Sequence, residues 1–517
     1  MKKLIGVIAV VLVLAVGFIG AAYWSGQRAE RWYRETVVEA SKHPNFKITT
    51  TRYERGVFSS KASTRYQLVL EKEAPEIPEL SFSTREEIFH GPLPLAGWGV
   101  AGVPMTLTGA VVRQTLEPES STWTRELAKL YGGQEPVVAV AQVGFDGASN
   151  TRITMPPLTA ANVGELQSFN FAGLQGQFQV APHGAAIRGN MTVASLEAVA
   201  KAPVAGEGQP AAAGPRMALR DLLVTVDQRK GEFELMFGNS NFKIGELRVQ
   251  DPSTANPVVF SNLGMDATAA LNAQNPRQVN VDVLFKTDQF VVEPWRGTGS
   301  MRLAFRNLDG VTLGKLERWQ QKAATSPDDP RVLDELLQLV KALLRGKPEF
   351  ALDTQAKLAQ GDWQSTLVLN FQDFGDIDPL QNPGGLLGAL EKGVAEVTVA
   401  KGLAEAVMTS AAKEQLRAQA GGAGSLTGEQ AIQNAAAQQV AAQLKDMVAT
   451  GFIRLEGDRY RSTARFENGK LLVNDKEIPL GLAGGAGNGM PLEPDDGAGI
   501  GIPLEPDVIP PEGEPRT

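Results

Sequence analysis

Three histidines, His43, His90 and His183, are the side chains of this chain best suited to proton transfer near neutral pH. A hydrolytic triad would need one of them beside an activated nucleophile, and no G-x-S-x-G elbow accompanies any of the three. Asp373, Asp376 and Asp378 are carboxylates spaced closely enough to suit calcium, but the EF-hand ligand order and its terminal Glu are missing, so a polar loop is the expectation there. Gly484-Gly485-Ala486-Gly487 resembles a phosphate cradle in composition only, because it lies in a Gly/Pro-rich tail and not between a strand and a helix. With no cysteine, the chain holds no disulfide, zinc-thiolate site, iron–sulfur cluster or thiol nucleophile. The residues point to no catalytic group, cofactor or metal. The remaining enzymatic option is a paired-carboxylate hydrolase of envelope polymers, which needs neither Cys nor His.

The elements that would carry any site begin with an apolar segment. After Lys2-Lys3 come 21 uncharged, mostly aliphatic residues, Leu4 to Trp24. As a helix they would extend roughly 30 Å, the thickness of a bilayer's hydrocarbon core. Tyr23 and Trp24 then stand where an interfacial aromatic belt belongs, ahead of Arg28, Glu30, Arg31 and Arg34. Gly20, Ala21 and Ala22 would suit signal cleavage, but the apolar run is longer than the 7 to 15 residues or so of a typical signal core, which favours a retained anchor. Orientation carries two opposed signals. The local count of basic residues favours the C-terminal side as cytoplasmic, whereas a short basic N-terminus before a long apolar core is the design of an export signal. The expectation is a body on the periplasmic side of a bacterial inner membrane.

Beyond the anchor the sequence predicts a mainly β fold with helical insertions (α+β), built as large antiparallel sheets behind a single N-terminal transmembrane helix. Its expected order is a cytoplasmic tip and anchor over 1–24, a juxtamembrane helix over 25–45, a β-rich body over 46–310 and a helical segment over 311–348. A β segment over 349–400, helices over 401–450, a β-hairpin over 451–480 and a disordered acidic tail over 481–517 complete it. Period-two alternation supports strands from Phe46 to Arg52, from Ala62 to Leu68, and at Leu222–Val226, Glu232–Phe237, Phe242–Val249, Val279–Phe285 and Ser300–Phe305. Asn468-Gly469, between Tyr460–Glu467 and Lys470–Val473, predicts a type I′ hairpin with Glu467 facing Lys470. Leu333, Leu336, Leu337, Val340, Leu343 and Leu344 predict one helical stripe. Thr427 with Gln430 suggests a capping box ahead of a loose apolar face, Ile432, Ala435, Val440, Leu444 and Val448. Glu197 to Arg216 reads as a flexible loop. The net charge of -8 gives no basic surplus for nucleic acid, so that partner is not expected.

Tyr53-x-Arg55-Gly56-Val57-Phe58-Ser59-Ser60 and His90-Gly91-Pro92-x-Pro94-Leu95, behind an N-terminal anchor, resemble the YdgA-like family of bacterial envelope proteins, a family of unknown function. The resemblance runs from the anchor to about Leu480 and leaves the acidic tail outside it. It implies an inner-membrane-attached periplasmic protein, a homodimer among its expectations, with no accepted activity and no catalytic residues to carry over. Physical chemistry gives these residues structural roles. Arg55-Gly56 suits a bulge or turn, Val57 and Phe58 would fill the core, and Gly91-Pro92 would fix a bend at a strand end. The functional expectation is a non-enzymatic scaffold, or a groove for lipid or an envelope protein partner. In plan it is similar to the anchored, β-rich AsmA-type proteins, a likeness of architecture alone.

Overall fold

The computed structural model describes residues 2–41, 46–68, 81–202, 214–252, 254, 256–325, 330–372, 388–420 and 428–479. The chain divides into two units, and the described residues lie almost wholly in the first, Met1–Ile478. The second, Pro479–Thr517, holds the predicted acidic tail, which lies outside the described residues, as do Asp373, Asp376, Asp378 and Thr427.

The fold is mainly β, one antiparallel sheet of 22 strands with six α-helices among the described residues. Helix α1 (Lys2–Ala40) leads into β1 (Phe46–Arg55), β2 (Ser59–Leu68), β3 (Ser81–His90) and β4 (Ala110–Leu116). Helix α2 (Thr122–Leu130) precedes five short strands, β5 (Val138–Val143), β6 (Ser149–Met155), β7 (Leu158–Val163), β8 (Leu166–Phe171) and β9 (Leu174–Val180). Six long strands follow: β10 (Ala186–Ala200), β11 (Arg216–Lys230), β12 (Met236–Gln250), β13 (Val258–Leu271), β14 (Gln278–Val292) and β15 (Trp295–Asp309). The hairpin α3 (Gly310–Thr325) and α4 (Pro330–Arg345) interrupts them before β16 (Glu349–Leu358), β17 (Gly361–Phe371) and β18 (Leu390–Ala400). A second hairpin, α5 (Lys401–Ala420) and α6 (Glu429–Ala449), leads to β19 (Arg454–Glu456), β20 (Arg459–Glu467), β21 (Lys470–Val473) and β22 (Lys476–Ile478).

Nearly every strand pairs with its neighbour in sequence. The run β1 to β6 continues through β9 to β18, then β20, β21 and β22, with β7–β8 standing beside β10 and β19 beside β20. Residues directly opposite in such ladders share a face, so the register traces each face across the whole sheet. On one face Met191, Val224, Phe242, Met265, Phe285 and Met301 form a single row across β10 to β15. A parallel row continues through Val283, Leu303, Leu352, Leu367 and Ala395. On the other face charges pair across strands, as in Arg188–Asp227, Lys286–Asp266, Arg302–Asp282, Arg306–Glu349 and Arg459–Asp362. Each exposed pair adds little, within about 1 kcal/mol, but a slip of one residue would put every charge onto the apolar face, so together they fix the register.

Several local expectations meet the structure differently. Helix α1 is continuous from Lys2 through Ala40, so the apolar segment and the charged stretch after it form one rod, roughly 58 Å long at 1.5 Å per residue. Among the described residues no helix is long and apolar enough to cross a membrane; the side chains of residues 4–17 and of Ile19 lie outside them. Glu232–Glu234 is a 3-10 turn, with Phe233 and Glu234 at positive φ, and the strand starts only at Met236: local alternation there reflects a tight connection. Strand β10 extends to Ala200, so the expected loop begins later than Glu197. In α4, Val332 and Leu339 are the buried residues whereas Leu333 and Val340 are exposed, which turns the covered stripe one position from the predicted one. In α6 the buried stripe is Ile432, Ala436, Val440 and Leu444, four apart throughout, and Gly428 stands at the N-cap without a side-chain bond. The Asn468-Gly469 turn is as expected, both residues at positive φ, with Glu467 opposite Lys470.

Candidate functional site

The apolar face of the sheet is treated differently along its length. At the first end α1 packs on β1, β3 and β4. Its contact stripe, Ala22, Gly26, Ala29, Tyr33 and Val37, recurs every three or four residues and so lies along one side of the helix. Small residues in the upper part of the stripe allow close approach: a Cβ at Gly26 would stand 2.6 Å from His90 Cε1. Ala29 and Tyr33 join Ala62, Ile88, Ala110 and Val112 in one buried cluster. At the last end α5 packs on β17, β18 and β20, and Val399, Leu403, Ala412, Ala436, Val440, Leu444 and Tyr460 form an apolar core. At one margin Tyr131, just after α2, closes over Leu158, Phe171 and Val193. Among the described residues no helix makes more than slight contact with β12, β13 or β14. There Phe242, Met265 and Phe285 are half-buried, Ile244 and Val279 are buried, and Met217 and Phe305 on the same face are each 40% exposed.

The two sequence motifs meet at the first end, around α1. His90, the last residue of β3 and 1% exposed, reaches the helix backbone through Nδ1, 3.2 Å from Ala22 O, and reaches Ser60 Oγ through Nε2 at 3.1 Å. A carbonyl can only accept, so Nδ1 carries the hydrogen and Nε2 accepts from the Ser60 hydroxyl. Burial pushes the His90 pKa below 6.5 and Arg55 adds to this, against the backbone hydrogen bonds at Ala22 and Ser59. The ring is neutral, and it serves as a peg between sheet and helix. Gly91 follows at φ 121° beside Ala22, the backbone that turns the chain off the strand. Gly56 makes the β1–β2 turn, its N–H donating to Ser59 O at 2.9 Å. Arg55 Nη1 lies 3.1 Å from Glu30 Oε2 and its guanidinium sits over the Tyr23 ring. Tyr53 packs against Tyr33 of the helix, the rings tilted by 46° with 5.3 Å between centroids. Val57 and Phe58, expected in the core, are exposed; they form the tip of the β1–β2 turn, where Phe58 stacks on Phe18 of the helix at 6.2 Å. Pro94 is buried. Tyr23 and Trp24 are both exposed at this level.

A residue that sequence reasoning passed over lies beneath the same helix. Glu86 of β3 is 2% exposed, and its Oε1 accepts from Thr84 Oγ1 at 2.5 Å and from Gln114 Nε2 at 3.0 Å. The Thr64 hydroxyl beside it is engaged by Tyr33, and Oε2 is left without a hydrogen-bond partner among the described residues. Burial pushes the Glu86 pKa up from 4.5 to about 7; the bonds from Thr84 and Gln114 oppose the shift and Glu117 adds to it. Glu86 lines a cavity of about 190 Å³ together with Trp32, Tyr33, Tyr66, Gln114 and the β5 residues Ala139 and Ala141. Within the run Arg85-Glu86-Glu87 it reads as a surface charge. Counting by twos from Ile88 and His90 would have placed it inward.

Comparison with known proteins places these motifs in a wider group. The family described as bacterial protein of unknown function (DUF945) matches residues 1–481, which takes in the described sheet and every helix on it. This chain belongs to that family. DUF945 ends where the described fold ends, and the acidic tail lies beyond it. Protein YdgA of Escherichia coli (strain K12) is 26% identical over 188 residues, 35% of this chain and 36% of that protein, so the match spans about a third of its length. No solved structure matches.

Proposed function

We propose that this member of DUF945 is a non-enzymatic bacterial cell-envelope protein, held in the inner membrane by the span Leu4–Trp24, whose periplasmic sheet carries lipid acyl chains on its open apolar face. The observation that supports this most is the apolar register from Met191 to Met301, which crosses β12, β13 and β14, strands with which no helix makes more than slight contact among the described residues. Five strands, β10 to β14, at about 4.8 Å spacing make an open face about 20 Å across, on the scale of an acyl chain's length. An exposed apolar area of that extent on a secreted body is a binding surface, because water would otherwise favour covering it. Continuity with α1 selects lipid as its occupant: the face begins under the very helix whose N-terminal part is an apolar run of bilayer length.

The test uses the full chain in cells with a photo-reactive phenylalanine analogue placed at Phe242 or Phe285 on the apolar face, and at Lys243 or Thr268 on the charged face. Mass spectrometry of the adducts is expected to find phospholipid at the first pair and none at the second. Adducts with protein alone at Phe242 and Phe285, or lipid on both faces alike, overturn the reading.

A further inference from the structure

The open face does not end bluntly toward α1. Ala139 and Ala141, which line the cavity holding Glu86, sit in rows that run through Ile153 and Thr151 on β6 and Gly176 and Phe178 on β9 to Met191 and Gly189 on β10. One surface therefore joins a polar chamber to the apolar rows of the long strands. We propose that this chamber receives the primary ammonium headgroup of a lipid whose acyl chains lie on the open face, with an ammonium N–H donated to Glu86 Oε2. This deepens the reading above and rests on it.

Four features of the chamber select that chemistry. A carboxylate oxygen buried without a partner costs free energy that an N–H donor would recover. The rings of Trp32, Tyr33 and Tyr66 line the chamber, and aromatic rings attract a cation. The described lining contains neither Lys nor Arg, so it has nothing to hold a bare phosphate, and Glu86 would repel one. At about 190 Å³ the chamber exceeds the roughly 150 Å³ that holds a benzene-sized guest. A quaternary ammonium satisfies the rings but has no N–H to give, so methylating the headgroup separates hydrogen bonding from charge.

The experiment reconstitutes the full chain, carrying the photo-reactive residue at Phe285, in vesicles of equal parts phosphatidylethanolamine, phosphatidylcholine and phosphatidylglycerol with identical acyl chains. Adducts are sorted by headgroup. The expected result is an enrichment of the ethanolamine lipid over the choline lipid of about tenfold, the scale of one hydrogen bond to a charged group. Glu86→Gln is expected to bring the ethanolamine-lipid yield down to that of the choline lipid, whose own yield persists, and its melting temperature reports that the variant is folded. Equal headgroup yields in the wild-type chain, as ordered water in the chamber would give, or an enrichment that survives Glu86→Gln, overturn the headgroup assignment while the acyl-chain reading stands. Absence of lipid adducts of any kind overturns the acyl-chain reading itself. Ethanolamine alone is expected to leave the melting temperature unchanged; a saturable rise abolished by Glu86→Gln would assign the chamber to a soluble amine and overturn the lipid source.

Discussion

The two covered ends of the sheet are built on opposite terms. Under α5 and α6 the contact is wholly apolar, with Leu403, Val440 and Leu444 against Val399 and Tyr460. Under α1 a comparable apolar cluster shares its space with Ser60, Thr64, Thr84, Glu86 and His90, all buried. Burying polar groups is costly wherever a partner is missing, and Glu86 Oε2 has none among the described residues. The α5–α6 end behaves as a lid that stabilises the fold. The α1 end carries chemistry that stability alone would not select.

The comparison can be broken first at the lid. Leu403→Ala, at a residue 1% exposed, is expected to destabilise the chain by about 3 to 4 kcal/mol in chemical denaturation, because a core there has no polar network to readjust. A loss under about 1 kcal/mol would show that end to be loosely packed.

The next largest effect has the reverse sign. The Glu86 pKa is raised on folding, so the native state holds a proton that the unfolded state has released between pH 4.5 and about 7. Stability from this group is therefore full below pH 4.5 and falls as pH rises, the penalty reaching about 3 kcal/mol above pH 7. In lipid-free protein Glu86→Gln is expected to melt higher than wild type at pH 8 and alike at pH 4. His90 pulls the other way. Its pKa is lowered, so its contribution is present above pH 6.5 and is lost as pH falls, and His90→Gln is expected to flatten that acid limb of the melting curve.

A smaller change sharpens the geometry of the α1 contact. Gly26→Ala forces a methyl against the His90 ring and is expected to cost about 2 kcal/mol, with the new chemical shifts confined to His90 and its neighbours. The smallest effect belongs to the charged face, where Arg302→Met should lower stability by under about 1 kcal/mol despite a 2.6 Å ion pair with Asp282.

Much of the sheet is legible in the sequence because its two faces differ. Leu222–Val226 and Val279–Phe285 alternate cleanly, since one side of each strand meets apolar neighbours and the other meets solvent and charge. The α1 end is harder to read. Strand β3 is buried on both faces over Ile88, Phe89 and His90, so alternation fades and Glu86 passes for a surface residue. The motif residues were visible as a pattern, but their common purpose was not: Tyr53 and Arg55 stand on β1 and His90 at the end of β3, and only the folded sheet brings them together against α1. The stripe Ala22, Gly26, Ala29 was the available signal, small residues at helical spacing just past the apolar run. The offset stripe of α4 could not be read at all from Leu333 onward, because helical periodicity names a set of apolar residues without naming which of them the neighbour covers.

From β10 to β18 each strand pairs with the one made immediately before it. Contacts between near neighbours in sequence close small loops, and small loops close quickly. A chain made from its N-terminus can thus lay down this sheet in order, each arriving strand finding its template already in place. The face stays short while the chain is short, so the unfinished protein never shows water more apolar surface than it has strands to frame.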